Sequence, residues 1–119
     1  MNYKESVHTP IYVGLELSNS GITSLFFLRG LKRKSGKSYV MLENIAGSRE
    51  TELLIEPDWV IIRENRDGVK VDYHGAKLGD LYRGEVSCVK HGRNFGNFIL
   101  GRYPNSHLIR AYVESISGK

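Results

Sequence analysis

Cysteine is nearly absent from this chain, which has one such residue, Cys88, among 119. A single thiol cannot form an internal disulfide, so a disulfide-stabilised scaffold and a multi-cysteine zinc site are both excluded. Cys88 stands among apolar neighbours, and we expect a small buried hydrophobe rather than a nucleophile at this position. One unpaired thiol also fits a reducing compartment, which leads us to predict a cytoplasmic protein.

Long hydrophobic runs are also missing. The longest apolar cluster, Leu25 to Leu28, is far shorter than the roughly 20 residues that a membrane helix requires. The first ten residues contain no apolar core of a signal peptide, so we expect neither export nor a membrane partner. The length suits one domain with one core over residues 1–119, and residues 1–9 are predicted to form a flexible arm.

Acidic residues are absent from one stretch of the chain. Residues 29–37 contain no acid and five bases, which are Arg29, Lys32, Arg33, Lys34 and Lys37. The net charge is +4, and residues 43–72 hold eight of the 13 acids. A basic flank beside an acidic middle predicts one positive face, which suits nucleic acid or another polyanion. The alternative is a basic surface that only keeps the protein soluble.

Strand-like alternation, in contrast, is abundant. Apolar residues recur at every second position from Ile11 to Leu17, and similar segments follow, separated by turn-forming residues at short intervals. This pattern predicts an α+β domain rich in β-structure: a small barrel or sandwich of about seven or eight short strands with one C-terminal helix. Trp59, which precedes the apolar run Val60 to Ile62, is expected to anchor the core.

The apolar period changes near the C-terminus. Apolar residues there fall at Leu108, Ile109, Tyr112, Val113 and Ile116, which is the one-sided spacing of an amphipathic helix. Asn105 or Ser106 can cap the start of this helix. We expect the first four apolar residues of the stripe to be buried against the sheet.

The predicted sheet also raises the question of oligomeric state. An open sheet would leave strand edges unpaired, and an unpaired edge is a template for pairing with another chain. The strand from Ile11 to Asn19 could then pair across a two-fold axis, so a homodimer is a further hypothesis.

Two predicted β-hairpins carry the candidate binding residues. The hairpin over residues 25–43 has the five clustered bases at its tip, and the hairpin over residues 84–100 contributes Lys90, Arg93 and Phe95. Single-stranded nucleic acid requires this combination, because cations hold phosphates while flat rings stack on bases. We therefore predict a nucleic-acid-binding surface made of Arg29, Lys32, Arg33, Lys34, Lys37, Lys90, Arg93 and Phe95.

The second hairpin contains two phenylalanines of different expected roles. Phe95 and Phe98 are three residues apart, so on a regular strand their side chains point to opposite faces and only one of them can stack. Parity alone leaves open which of the two rings is exposed, and we favour Phe95 as the stacking ring. Tyr82 and Tyr103 are further candidates for stacking.

The segment RNFGNFI over residues 93–99 resembles the aromatic-glycine-aromatic strand of cold-shock domains and related oligonucleotide-binding barrels. Gly84 and Val86 are similar to the preceding strand of those barrels. The resemblance covers about 17 residues, and it implies single-strand binding with Phe95 as a stacking ring. Asn97 interrupts the run of aromatics, and a predicted helix stands where further strands follow in those barrels.

Enzymatic chemistry has little support in the sequence. The serious alternative is a metal-dependent nuclease, because two-metal sites use clustered carboxylates with a lysine; the candidate residues are Asp58, after Pro57, followed by Glu64, Asp67, Lys70 and Asp72. Solvated acids on an exposed sheet face explain the same residues more simply. The four histidines are scattered, which disfavours a local metal site.

We therefore predict a non-enzymatic module that binds RNA or single-stranded DNA, without catalytic residues, metal or cofactor. A second hypothesis is a small protein-interaction module or inhibitor, such as an accessory protein of a phage or mobile element, with a basic face for an acidic protein. A metal-dependent nuclease is the third.

Overall fold

The computed structural model describes residues 9–18, 20–90 and 92–117, apart from the Arg93 side chain; most of the predicted N-terminal arm lies outside these residues. Eight strands and one helix follow one another. They are β1 (Pro10–Ser18), β2 (Gly21–Lys34), β3 (Lys37–Asn44), β4 (Gly47–Ile55), β5 (Trp59–Arg66), β6 (Val69–Leu78), β7 (Leu81–Cys88), β8 (Arg93–Arg102) and α1 (Ser106–Ser117). In the described residues, no helix is long and apolar enough to cross a membrane.

The strands form a closed antiparallel barrel in which each strand pairs with the next and β1 pairs with β8. This confirms the prediction of a small β-rich domain with seven or eight strands and one C-terminal helix. Val13 of β1 pairs with Phe27 on one side and with Gly101 on the other. The open edge that the homodimer hypothesis required at β1 is therefore not present. The meander also differs from the five-stranded Greek-key barrel of oligonucleotide-binding domains, so the resemblance in β8 does not extend to the fold.

Alternate side chains of each strand point into the barrel and fill it. Phe26, Tyr73 and Phe98 form the aromatic centre, with ring centroids 5.7 Å apart for Phe26 and Tyr73 and 5.4 Å apart for Tyr73 and Phe98. The rings fit because glycine stands opposite them. A Cβ atom at Gly14 would lie 2.2 Å from the Phe26 ring, and one at Gly75 would lie 2.7 Å from that of Phe98.

The helix packs against the outside of the barrel, over β1 and β2. Leu108 is buried there with Val13 and Leu15, in a second cluster separate from the barrel interior. The backbone N–H of Leu108 donates to Asn105 Oδ1 at 3.2 Å, which confirms Asn105 as a cap.

The apolar stripe of this helix is buried only in its first half. Ile109 and Tyr112 are half-buried, whereas 49% of Val113 and 59% of Ile116 are exposed. The expectation that Val113 is buried was wrong, because the face of α1 that packs on the barrel is centred near Leu108 and Tyr112, and the helical turn places Val113 at the margin of that face.

The meander places the connections alternately at the two ends of the barrel. We call the end with the β2–β3 turn the lower end; it also carries the β4–β5 and β6–β7 connections. The upper end carries the β1–β2, β3–β4, β5–β6 and β7–β8 connections. The two hairpins predicted to bind nucleic acid therefore have their tips at opposite ends.

Leu108 and Val113 differ in burial, so we expect their replacement by alanine to change the stability of the protein by different amounts. Leu108→Ala removes a side chain that is only 6% exposed, and we expect the free energy of unfolding to fall by about 2–5 kcal/mol. Val113→Ala is the matched control and should change it by less than about 0.5 kcal/mol. Urea denaturation followed by circular dichroism measures both; equal effects of the two substitutions would contradict the packing of α1.

Candidate nucleic-acid interface

The β2–β3 hairpin extends beyond the barrel wall. Strand β2 has its last partner on β1 at Arg29, and β3 has its first partner on β4 at Tyr39. Residues 31–38, which we call the hairpin tip, therefore have no strand partner outside the hairpin among the described residues. The tip projects from the lower end with both faces available for contact.

Three of the five clustered cations are paired with acids on neighbouring strands. Lys32 and Lys34 lie 3.0 and 3.3 Å from the carboxylate of Glu50, and Arg29 lies 2.7 Å from that of Glu43. The hydrogen bond from Lys32, with that from Lys34, lowers the pKa of Glu50 from its usual value. These pairs reduce the positive charge on the outer face of the hairpin.

Arg33 and Lys37 form no ion pair with the described residues. Arg33 donates instead within the hairpin, to the Gly36 carbonyl at 3.2 Å and to Ser38 Oγ at 3.3 Å. Both cations are exposed. They are the two charges of the cluster with no carboxylate partner in the described structure.

A groove of about 280 Å³ separates the hairpin tip from the start of β5. Arg33, Lys37 and Leu31 of the hairpin line this groove together with Trp59, and two acids near the end of β4, Glu52 and Glu56, line it as well. The Trp59 residue is 37% exposed, so the expectation that it anchors the core was wrong. The first inward-facing residue of β5 is Val60, which turns the preceding indole outward.

The same indole borders a second depression on the barrel wall, which includes Arg83. Trp59 is thus flanked by Arg33 and Lys37 on one side and by Arg83 on the other. Sequence reasoning missed Trp59 and Arg83 as candidates. The available signal was strand parity: Val60 and Ile62 are the inward positions of β5, so Trp59, one residue before Val60, faces outward.

The second predicted hairpin is not part of this surface. Its tip lies at the upper end, where Lys90 is exposed. Phe95 is 46% exposed and Phe98 is 1% exposed, so the two rings face opposite sides of β8, as strand parity predicted, and Phe95 is the outward one. The Arg93 side chain and all of His91 lie outside the described residues. The structure separates Lys90 and Phe95 from the five clustered bases.

The two tyrosines proposed as further stacking rings differ in access. Tyr82 is 7% exposed, and its hydroxyl donates to the Glu56 carbonyl at 2.6 Å, so it is not available for stacking. Tyr103 is 36% exposed and packs edge-on against Phe27, with ring centroids 6.1 Å apart. Cys88 is buried at 1% exposure, as expected.

The acids of the nuclease hypothesis are not gathered together. Glu64 points into the barrel, whereas Asp72 lies on the outer face, 3.6 Å from Arg63. Within the described part of the chain, no group of three or more His, Cys, Asp or Glu side chains is arranged to hold a metal ion. The carboxylates that the sequence places close together lie on opposite faces of the wall.

Glu64 instead joins two arginines inside the upper end of the barrel. Its Oε1 accepts from Arg49 Nη2 at 2.8 Å, and its Oε2 accepts from Arg66 Nε at 2.9 Å. Arg66 Nη2 also donates to Tyr73 Oη at 2.8 Å, and that hydroxyl donates to Glu16 Oε1 at 2.9 Å. We call these five residues the buried ion network.

Comparisons of the chain with protein-family models, with curated proteins and with solved structures found no match.

The buried ion network predicts a specific pH dependence. Burial raises the pKa of Tyr73 well above its usual 10.0, and the charges of Glu64 and Glu16 raise it further. Above pH 10 the unfolded chain loses this proton while the folded chain keeps it, so the contribution to stability is complete below pH 10 and is lost as the pH rises. The free energy of unfolding should fall by up to about 1.4 kcal/mol per pH unit from this group.

Tyr73→Phe removes the titrating group and should give a shallower decline above pH 10 than the parent protein. Tyr39→Phe, on the outer face of β3, controls for the loss of a phenol elsewhere. Urea denaturation between neutral and alkaline pH measures the difference. Parallel curves for the parent and Tyr73→Phe would show that Tyr73 is not held neutral by folding.

Proposed function

We propose that this protein is a non-enzymatic module that binds single-stranded nucleic acid, RNA or DNA, at the hairpin tip and the adjoining Trp59 groove. The observation that carries the proposal is that Arg33 and Lys37 share a groove with the exposed indole of Trp59 and form no ion pair within the described residues, not even with Glu52 and Glu56, which line the same groove. Phosphates and bases need different partners, and this groove offers both within one short segment of surface.

The charges supply affinity without sequence preference. Arg33 and Lys37 are exposed and have no carboxylate partner in the described structure, so each can contact a phosphate without first breaking an ion pair. Lys32 and Lys34 share Glu50, and a phosphate can compete with one exposed carboxylate for them. Each phosphate contact releases condensed counterions, which makes the affinity depend on salt.

The indole favours a single strand over a duplex. A base can stack on Trp59 only when its own face is free, which requires an unpaired and unstacked base. Stacking of this kind contributes about 1–3 kcal/mol per base. Arg83, on the other side of the indole, extends the basic surface along the wall, so a strand could cross Trp59 with phosphates held on both sides.

The charge prediction compares two double variants with the same change in net charge. Arg33→Glu with Lys37→Glu should weaken binding of a labelled single-stranded oligonucleotide. It should also make the slope of log affinity against log salt concentration less steep by about 0.7 for each phosphate that the variant no longer binds. Lys90→Glu with Arg110→Glu, at exposed positions away from the groove, should have a much smaller effect. Fluorescence anisotropy at three salt concentrations measures both slopes.

Equal losses of affinity in the two double variants would mean that only net charge matters and that the hairpin tip is not the interface. If the parent protein binds no unrelated oligonucleotide at low salt, the nucleic-acid proposal fails. An acidic protein then becomes the favoured partner for the same cations.

The stacking prediction uses the fact that Trp59 is the only tryptophan in the chain. A base stacked on the indole should quench the intrinsic fluorescence during titration with unlabelled oligonucleotide. Trp59→Leu should weaken binding about 5- to 150-fold while leaving the salt slope unchanged, because stacking releases no counterions. Phe95→Leu, a partly exposed ring near the upper end, is the matched control and should bind like the parent. Quenching without any loss of affinity in Trp59→Leu would count against a stacking role.

A further inference from the structure

A second cavity lies at the upper end of the barrel, away from the hairpin tip. It has a volume of about 520 Å³, within the range of small-molecule sites. We call it the polar cleft. Its lining comes from β1, β2, the β3–β4 turn with the start of β4, and the β5–β6 turn, and it includes Glu16, Ser24, Asn44, Arg49 and Arg66.

The cleft adjoins a gap in the backbone pairing between two neighbouring strands of the barrel wall. Strands β4 and β5 are paired from Ile55 with Val60 to Glu52 with Arg63, and the described structure shows no backbone pairing between them above Glu52 and Arg63. Arg49 and Glu64 lie past this point on the two strands, and their side chains join across the gap at 2.8 Å. The upper part of the wall is thus held by an ion pair rather than by backbone hydrogen bonds.

The side chains at the base of the cleft are fixed in place before any ligand arrives. The Glu64 side chain is 0% exposed and uses both carboxylate oxygens, one for Arg49 and one for Arg66. A buried carboxylate with two guanidinium partners leaves each arginine little freedom to turn. Groups held in this way lose little conformational entropy when a ligand binds.

The outer atoms of the same side chains remain available. Among the residues that the structure describes, Glu16 Oε2 and Arg66 Nη1 have no hydrogen-bond partner, and Arg49 Nη1 reaches Asn44 Oδ1 only at 3.5 Å. The side chains of Glu16, Arg49 and Arg66 are 17%, 24% and 33% exposed. The cleft therefore presents a fixed acceptor and fixed donors side by side.

The charges of the lining cancel. Arg49 and Arg66 are balanced by Glu16 and Asp67 in the described lining, and both guanidinium groups also share the buried carboxylate of Glu64 beneath it, so no strong attraction for an anion remains. A hydroxyl group suits such a lining, because it donates to a carboxylate through its hydrogen and accepts from a guanidinium through its oxygen. The interior below is filled by aromatic rings, so the ligand remains at the barrel mouth.

We propose that the polar cleft binds a small, uncharged, polyhydroxylated molecule of the size of a mono- or disaccharide. Glu16 Oε2 accepts from one hydroxyl of this ligand, and the outer Nη1 atoms of Arg66 and Arg49 donate to neighbouring hydroxyl oxygens. The proposal is independent of nucleic-acid binding, which uses the opposite end of the barrel.

The experiment is a titration of the isotope-labelled protein with glucose, maltose, sucrose and myo-inositol, followed by NMR, with acetate and phosphate as charged comparators. At least one of the four polyols should shift the backbone amide signals of Gly47 and Asn65 at millimolar concentration, whereas the two anions should not. No shift with any polyol, or shifts confined to other parts of the barrel, would overturn the proposal. Binding of acetate or phosphate in place of the polyols would overturn the assignment of an uncharged ligand.

A matched pair of variants tests the location. Ala46→Phe adds a ring at the rim of the cleft in an exposed turn without touching the buried ion network, and it should weaken binding of the responding polyol about tenfold or more. Ala76→Phe introduces the same ring at an exposed position of β6 outside the cleft and should leave binding unchanged. Equal binding by the parent and Ala46→Phe would overturn the proposal, and the amide spectrum of each variant reports that it is folded.

Discussion

The pairing of β1 with β8 is the constraint on which the rest of this structure depends, because it closes the sheet and removes both free edges. Closure of eight strands leaves an interior just wide enough for side chains. Three aromatic rings occupy that space, and glycine is needed opposite two of them, at Gly14 and Gly75. A filled interior excludes a deep ligand cavity along the barrel axis, so the ends and the outer wall are left for binding.

The closed barrel is weakest between β4 and β5, where the backbone pairing stops short of the upper end. Glu64 stands at this point with both of its oxygens bonded to guanidinium groups. Removing one partner from a buried ion pair costs about 3–5 kcal/mol, because a charge remains without compensation. The network therefore makes the upper end rigid, and the same rigidity presents the outer atoms of Arg49 and Arg66 in fixed positions.

Local periodicity allowed part of the fold to be predicted. Strand alternation predicted a β-rich barrel or sandwich, the helical stripe predicted α1 with a cap at Asn105 or Ser106, and strand parity predicted that Phe95 and Phe98 face opposite sides. Long-range pairing was beyond these arguments. Glu64 has the local pattern of a solvated acid, and its burial depends on Arg49, which is 15 residues away on another strand. The apolar neighbours of Trp59 indicated a core anchor, although the parity of β5 turns the indole outward.

The separation of the two predicted hairpins likewise follows from the long-range pairing of the strands. Their turns are five connections apart in the meander, and successive connections alternate between the two ends of the barrel. An odd number of steps places the turns at opposite ends. This result requires the strand order, which local patterns do not contain, and it divides one predicted binding surface into a lower site with Trp59 and an upper surface with Phe95.

A bulge in β2 decides which cations face the Trp59 groove. Arg29 pairs with Met41 and Lys32 with Tyr39, so β2 contains one more residue than β3 over this stretch. Gly30, at φ 65°, adopts the left-handed conformation that such a bulge requires. The extra residue reverses the alternation beyond it. Lys32 and Lys34 consequently lie on the face of Glu50, and Arg33 lies on the face of the groove. Without the bulge, Arg33 would lie on the outer face with the acids, and the groove beside Trp59 would lose one of its two unpaired cations.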